Sequence, residues 1–196
     1  MMAQELSQEL VGKFVGVAHG DLATVKQLYE QEPALLNARY ETWNETALEA
    51  ASHMGNRPIA EFLLEQGAPL VICTAAMLGR TEDVARFLQD DPGLSTAKGA
   101  HGITVLYHAA MSGETEIAGL LVAHGGGEGA SHALHGAVAF GRTEMVRWLL
   151  ERGVADVNML DFQGKTPLSV ALEKGHIEIA EMLRQHGGLE ELAASA

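Results

Sequence analysis

Nine histidines and a single cysteine are the residues of this chain best suited to hold a metal ion or attack a substrate. They are His19, His53, His101, His108, His124, His132, His135, His176, His186 and Cys73. His132 and His135 stand three apart, so a helix would set both rings on one face. A zinc site also needs third and fourth ligands. Glu128 is a nearby acidic candidate, but no established ligand spacing surrounds the pair. One cysteine excludes a four-cysteine site and any disulfide within the chain. Cys73 lies in an apolar run and reads as a small core residue rather than a nucleophile. No Cys/His/Asp arrangement suggests nucleophilic catalysis. The run "HGGGEG", His124 to Gly129, has the glycines of a phosphate cradle but lacks the lysine and the following Ser or Thr. It reads as a linker. No enzyme activity, metal or cofactor is expected.

The bulk properties narrow the function classes further. In 196 residues, 47% are hydrophobic and only 5% aromatic, which suits a core of small aliphatic side chains between closely stacked helices. The formal net charge of −13 repels phosphate backbones, excluding nucleic acid and favouring a basic partner. The polar opening "MMAQELSQEL" has no secretory pattern, and no apolar run is long enough to cross a bilayer. With the lone cysteine, this places the chain in a reducing cytoplasm and away from membranes.

The elements that must position these side chains follow a repeat. A glycine, then polar residues, then an amphipathic helix recurs at Gly20, Gly55, Gly79, Gly113, Gly141 and Gly175, with spacings of 35, 24, 34, 28 and 34 residues. Before each glycine runs a short Ala-rich segment such as "LEAASHM", read as a first helix that glycine ends in the left-handed conformation. In the second helices Ile59, Phe62 and Leu63, and likewise Met145, Trp148 and Leu149, fall on one stripe. Two short helices cannot cover both stripes alone, so the pairs must stack into a solenoid.

The segment "GKTPLSVALEKGHIEIAEMLRQHGG" resembles the ankyrin repeat, and "NETALEAASHMGNRPIAEFLLEQGAP" and "GITVLYHAAMSGETEIAGLLVAHGG" resemble further copies. The chain as a whole is similar to bacterial ankyrin-repeat proteins. The resemblance implies an all-α helical solenoid of about six helix–loop–helix units joined by projecting β-turn fingers. The units run roughly 10–40, 41–70, 71–98, 99–128, 129–160 and 161–188 in one domain, 1–196, with an N-terminal cap at 1–10 and a tail at 189–196. The short spacings depart from the family pattern and remove two fingers. Those at "NARYETWNET", "STAKGAHGIT" and "NMLDFQGKT" remain. The gaps left behind are either pockets or closed by tighter stacking.

The resemblance also implies which residues meet a partner. First-helix positions of the family that face the concave side fall on His53, Met54, Met77, Leu78, His108, Met111 and Phe140. The fingers add Tyr40, Trp43, His101 and Phe162. On this reading an apolar Met/His groove binds a partner protein, and protonation of His53 and His108 below about pH 6 would weaken that binding. In the other reading Met77, Leu78 and Phe140 twist inward as core. Tyr40 and Trp43 either contact the partner or stiffen their finger. His135 matches the histidine of the family's "TPLH" and is expected to bond backbone. His176 begins a helix, and His124 and His186 end helices whose dipoles favour a cation there. His19, His53, His101, His108 and His132 stay unexplained. The implied function is protein–protein interaction by a monomer. A regulatory or inhibitory subunit acting on an enzyme, and a self-assembling structural protein, remain as alternatives.

Overall fold

The computed structural model describes residues 6–191. The calls on residues 1–5 of the cap and 192–196 of the tail lie outside them. Twelve α-helices stack as six pairs. The pairs are α1 (Gln8–Val17) with α2 (Leu22–Gln31), α3 (Ala47–His53) with α4 (Arg57–Glu65), and α5 (Ile72–Met77) with α6 (Thr81–Asp90). They continue with α7 (Val105–Ser112) and α8 (Thr115–Ala123), α9 (Ala130–Ala139) and α10 (Thr143–Glu151), and α11 (Pro167–Glu173) and α12 (Ile177–Gln185). The expected all-α solenoid is the structure found. The segment read as a cap supplies the start of α1, the first helix of unit one.

The links between pairs alternate in length, and local chemistry alternates with them. Long links precede α3, α7 and α11 and form fingers. The first carries a hairpin of β1 (Arg39–Tyr40) and β2 (Glu45–Thr46), and the second a single bridge between Lys98 and Thr104. Each long link ends in a threonine, Thr46, Thr104 or Thr166, whose side chain accepts from the backbone N–H three residues on. This satisfies one exposed donor of the helix that follows. The short links, residues 66–71 and 124–129, lead into α5 and α9 with no side-chain cap. The second short link crosses the preceding unit at backbone contact. A Cβ on Gly126 would collide with the carbonyl oxygens of Ser95 and Leu121, and Ser95 Oγ donates to the His124 carbonyl at 2.8 Å.

Of the six repeat glycines, five take positive φ; Gly20 does not. In unit one the turn runs from Ala18 to Asp21, one residue longer than the turns after α3 or α5. The His19 imidazole, at 3.1 and 3.2 Å from the Val15 and Gly16 carbonyls, satisfies the helix end in place of a glycine turn.

The apolar stripes are buried between pairs. Ile59, Leu63, Met145 and Leu149 are fully enclosed, while Phe62 and Trp148 pack at the margin. One core cluster runs from α5 to α12 and a second from α1 to α4. The second cluster also takes in Met77, Leu78 and Met111 from α5 and α7, which corrects the expectation that these three line an open groove. Their burial comes from closure of the concave side. The Phe140 ring, from unit five, lies against Gly55 of unit two, where a Cβ would sit 2.6 Å from it and 3.4 Å from Met111 Sδ. Arg57 donates to the Met77 carbonyl at 3.3 Å and Arg142 to the Met111 carbonyl at 2.8 Å.

Two outcomes follow for urea unfolding followed by circular dichroism. Met111→Glu places a charge in this enclosed position and lowers stability by about 3 kcal/mol or more. Gly126→Ala lowers it by about 1–3 kcal/mol, because the backbone at Ser95 must move.

Candidate functional site

The first finger is folded onto α1 rather than projecting freely. Gln8 clamps it, its amide donating to the Arg39 carbonyl and its Oε1 accepting from the Glu41 N–H at 2.9 Å. Gly12 and Gly16 leave flat places on α1 for two rings. Tyr40 lies over Gly12, where a Cβ would come within 2.7 Å, and Trp43 lies beside Gly16. The two rings meet edge to face at 5.1 Å between centroids, and Trp43 meets His19 at 5.7 Å. This mutual packing is the stiffening arrangement. Tyr40 is half-buried, and Trp43 keeps one exposed face.

Beneath this finger lies Glu45, on β2, with 0% exposure. Its register opposite Tyr40 turns the side chain inward. Three histidines converge on the carboxylate. His53 Nε2, from the end of α3, is 3.1 Å from Oε2, His101 Nε2 is 3.4 Å from the same oxygen, and His19 Nε2 is 3.6 Å from Oε1. Oε1 is buried with no hydrogen-bond partner. The rings are themselves in contact, His19 with His53 at 5.1 Å and His53 with His101 at 5.0 Å.

His101 reaches the cluster through two features. Its backbone takes the left-handed conformation, φ 57°, uncommon for a residue with a side chain. Its finger also stands next to the first one, because the link before α5 builds none between them. The tips of the first two fingers thus meet, while a cavity of about 280 Å³ remains at the first gap, lined by Glu49, Val71, Thr74, Lys98 and His108 among others. At the second gap a cavity of about 400 Å³ lies between the last finger and α7, α9 and α11, lined by Tyr107, His132, Ala139, Phe162 and Val170 among others.

The electrostatics follow from burial. Loss of water raises the Glu45 carboxyl above its ordinary range, against the pull of His19 and His101. Burial, then the neighbouring His19 and His101, push His53 down to about 4. Burial likewise lowers His108, which is almost fully enclosed and bonded through Nδ1 to the Thr104 carbonyl at 2.9 Å. The expected protonation of His53 near pH 6 is therefore corrected, since its imidazole stays neutral there. The His108 shift runs in the same direction, and its burial removes it from the groove residues.

The remaining expected site residues divide by position. Met54, Phe140 and Phe162 present large exposed apolar surface, and His101 is 46% exposed. His53 is mostly covered, at 10%. His135 Nε2 donates to the Met159 carbonyl of the finger backbone at 2.6 Å, a backbone bond as the family pattern implies. His124 and His186 bond through Nδ1 to the carbonyls of Leu120 and Met182 in their own last turns. Glu128 pairs with Lys98 at 3.1 Å, not with His132. Glu45 was not singled out by sequence. The available signal was its position, one residue before the Thr that caps α3, where alternation along a two-residue strand sends it inward.

A model of ankyrin repeats in three copies matches residues 72–161 and 127–191, and a single-repeat model matches residues 43–75. The chain belongs to the ankyrin-repeat family. Ankyrin repeats are generally protein–protein interaction modules, and the family is typically non-catalytic. Human ankyrin repeat domain-containing protein 63 is 47% identical over 55 residues, 28% of this chain and 14% of that protein. The potassium channel AKT1 of Arabidopsis thaliana is 41% identical over 83 residues, 39% of this chain and 10% of the channel. Human SMC5-SMC6 complex localization factor protein 1 is 45% identical over 56 residues, 28% of this chain and 5% of that protein. The chain thus spans about a seventh or less of the length of these relatives. Among the described residues no helix is long and apolar enough to cross a membrane.

Cys73 gives a test of this packing. It is buried beside Gly99, and burial, with a smaller push from Glu49, raises its thiol to about 12. At pH 8 only about one molecule in ten thousand carries the reactive thiolate. Native protein should resist iodoacetamide at pH 8 and be alkylated at once in urea, as read by mass spectrometry.

Proposed function

We propose that this ankyrin-repeat chain is a binding module for a basic protein segment, engaged at the open gap between the last finger and the first helices of units four to six. The observation that carries the reading is Phe162. It stands 96% exposed at the tip of the last finger, next to the half-buried Asp161 and above the 400 Å³ cavity. A phenylalanine wholly in water costs hydrophobic free energy that a partner recovers on docking. The net charge of −13 steers a positively charged partner toward such a surface. Exposed Leu160, on the same finger and at the same cavity, enlarges the patch. The preformed helices leave little to order on binding. Cytoplasmic residence and a monomeric free state accompany the proposal.

The groove first expected on units two to five is narrower than that reading required, since Met77, Leu78, Met111 and His108 are core. The surface moves toward the C-terminal units, and Trp43 and Met54 stay exposed on unit two.

A photo-crosslinking amino acid at position 162, in cells of the native host, identifies the partner directly. The purified partner should bind wild type at least about tenfold more tightly than Phe162→Asp, whose fold is untouched because the side chain contacts solvent. Binding should weaken as salt is raised, since the attraction is between opposite charges. Equal affinity of wild type and Phe162→Asp would reject the surface.

A further inference from the structure

Glu45 poses a problem that neither the fold nor partner binding resolves. A carboxylate with 0% exposure has one oxygen, Oε1, without any hydrogen bond, and His19 Nε2 stands 3.6 Å from it. The His19 ring is already oriented from its other side. Nδ1 faces the carbonyl oxygens of Val15 and Gly16, which only accept, so the proton sits on Nδ1. In the neutral ring Nε2 then presents a lone pair to an oxygen that also presents lone pairs. Two acceptors facing one another at a buried carboxylate need a proton or a metal cation between them, and the convergence of two further imidazoles on the same carboxylate favours the metal.

We propose that His19, Glu45 and His53 form a binding site for a divalent first-row transition-metal ion of the zinc class, with His101 as a further ligand at its exposed edge. One donor atom from each of the first three lies within 4.8 Å of the others. The separations of 3.1, 3.4 and 3.6 Å between the imidazole nitrogens and the carboxylate oxygens are close to the edges of a coordination polyhedron. Bonds of about 2.0–2.2 Å to nitrogen and oxygen give edges of roughly 3.0–3.5 Å. The donor set, neutral imidazoles with one carboxylate, suits zinc, cobalt or iron(II) and disfavours magnesium and calcium, which take oxygen ligands. The carbonyls behind His19 act as the outer partners that fix the tautomer of a ligating histidine. His101, 46% exposed at the lip, leaves one side open to solvent and so to an exchangeable water or an incoming ligand.

The ion would tie the turn after α1, the first finger, the end of α3 and the second finger into one body. No single-segment motif announces it, because its ligands come from units one, two and four.

The full chain, stripped with chelator, is titrated with Zn(II) by calorimetry and with Co(II) by visible absorption at pH 7.5. One ion per chain is expected, with the intense visible bands of a low-symmetry cobalt site, and no uptake of Mg(II) or Ca(II). Glu45→Gln and His53→Gln should weaken Zn(II) binding at least about tenfold. His19→Gln, on a partly exposed turn, serves if either of those variants fails to fold. His101→Ala should weaken it less, and His124→Ala and His132→Ala not at all. Zn(II) should raise the melting temperature of wild type but not of Glu45→Gln. Absence of one-to-one uptake overturns the proposal, as does uptake that survives unchanged in both His19→Gln and Glu45→Gln.

Discussion

A helix of six to ten residues offers little apolar surface, and a pair of them has two stripes to hide and only one partner each. Every pair in this chain is therefore stable only against its neighbours, and the manner of stacking governs everything else. First helices pack on first helices and second on second, so alanine prevails where helices approach closely: Ala50, Ala51, Ala75, Ala76, Ala109, Ala110, Ala133 and Ala137 are all buried. The length of the link then sets what stands beside each first helix. A long link builds a finger and delivers a threonine cap, and a short link delivers neither.

Removal of two fingers leaves a cavity at each of its two sites, but the fingers beside them behave differently. Before α5 the tip of the second finger leans onto the first, so that His101 reaches Glu45. Before α9 the cavity is lined by the last finger, Phe162 included. The difference lies in what flanks each gap. The first is bordered by a finger clamped to α1 through Gln8, Tyr40 and Trp43, whose floor is a buried carboxylate that attracts imidazoles. The second is bordered by a finger whose tip carries an apolar ring facing water, with nothing of opposite character to draw it in.

The closed concave side also separates two properties that the family pattern groups together. Positions that face a partner in a gently curved array are here in contact with each other across several units, as Phe140 is with Gly55 and Met111. Methionine suits this role as well as it suits a binding surface, because an unbranched, polarisable side chain fills an irregular gap. The chemistry of Met77 and Met111 was thus compatible with both fates, and only the approach of unit five to unit two decided between them.

The sequence by itself determined the repeating pair, the six marks, the three fingers and two short links, and the local duties of His124, His135 and His186. These depend on residues near one another in the chain, where helical periodicity, glycine turns and caps act. The tertiary structure alone decided the gathering of His19, Glu45, His53 and His101, the burial of His108 and Met111, and the meeting of the first two fingers at their tips. Those outcomes depend on small rotations between successive units, which add along the solenoid and are written in no single repeat. A ligand set drawn from three units leaves no spacing to read, and a lone glutamate before a threonine cap looks like any other until the fold withdraws its water.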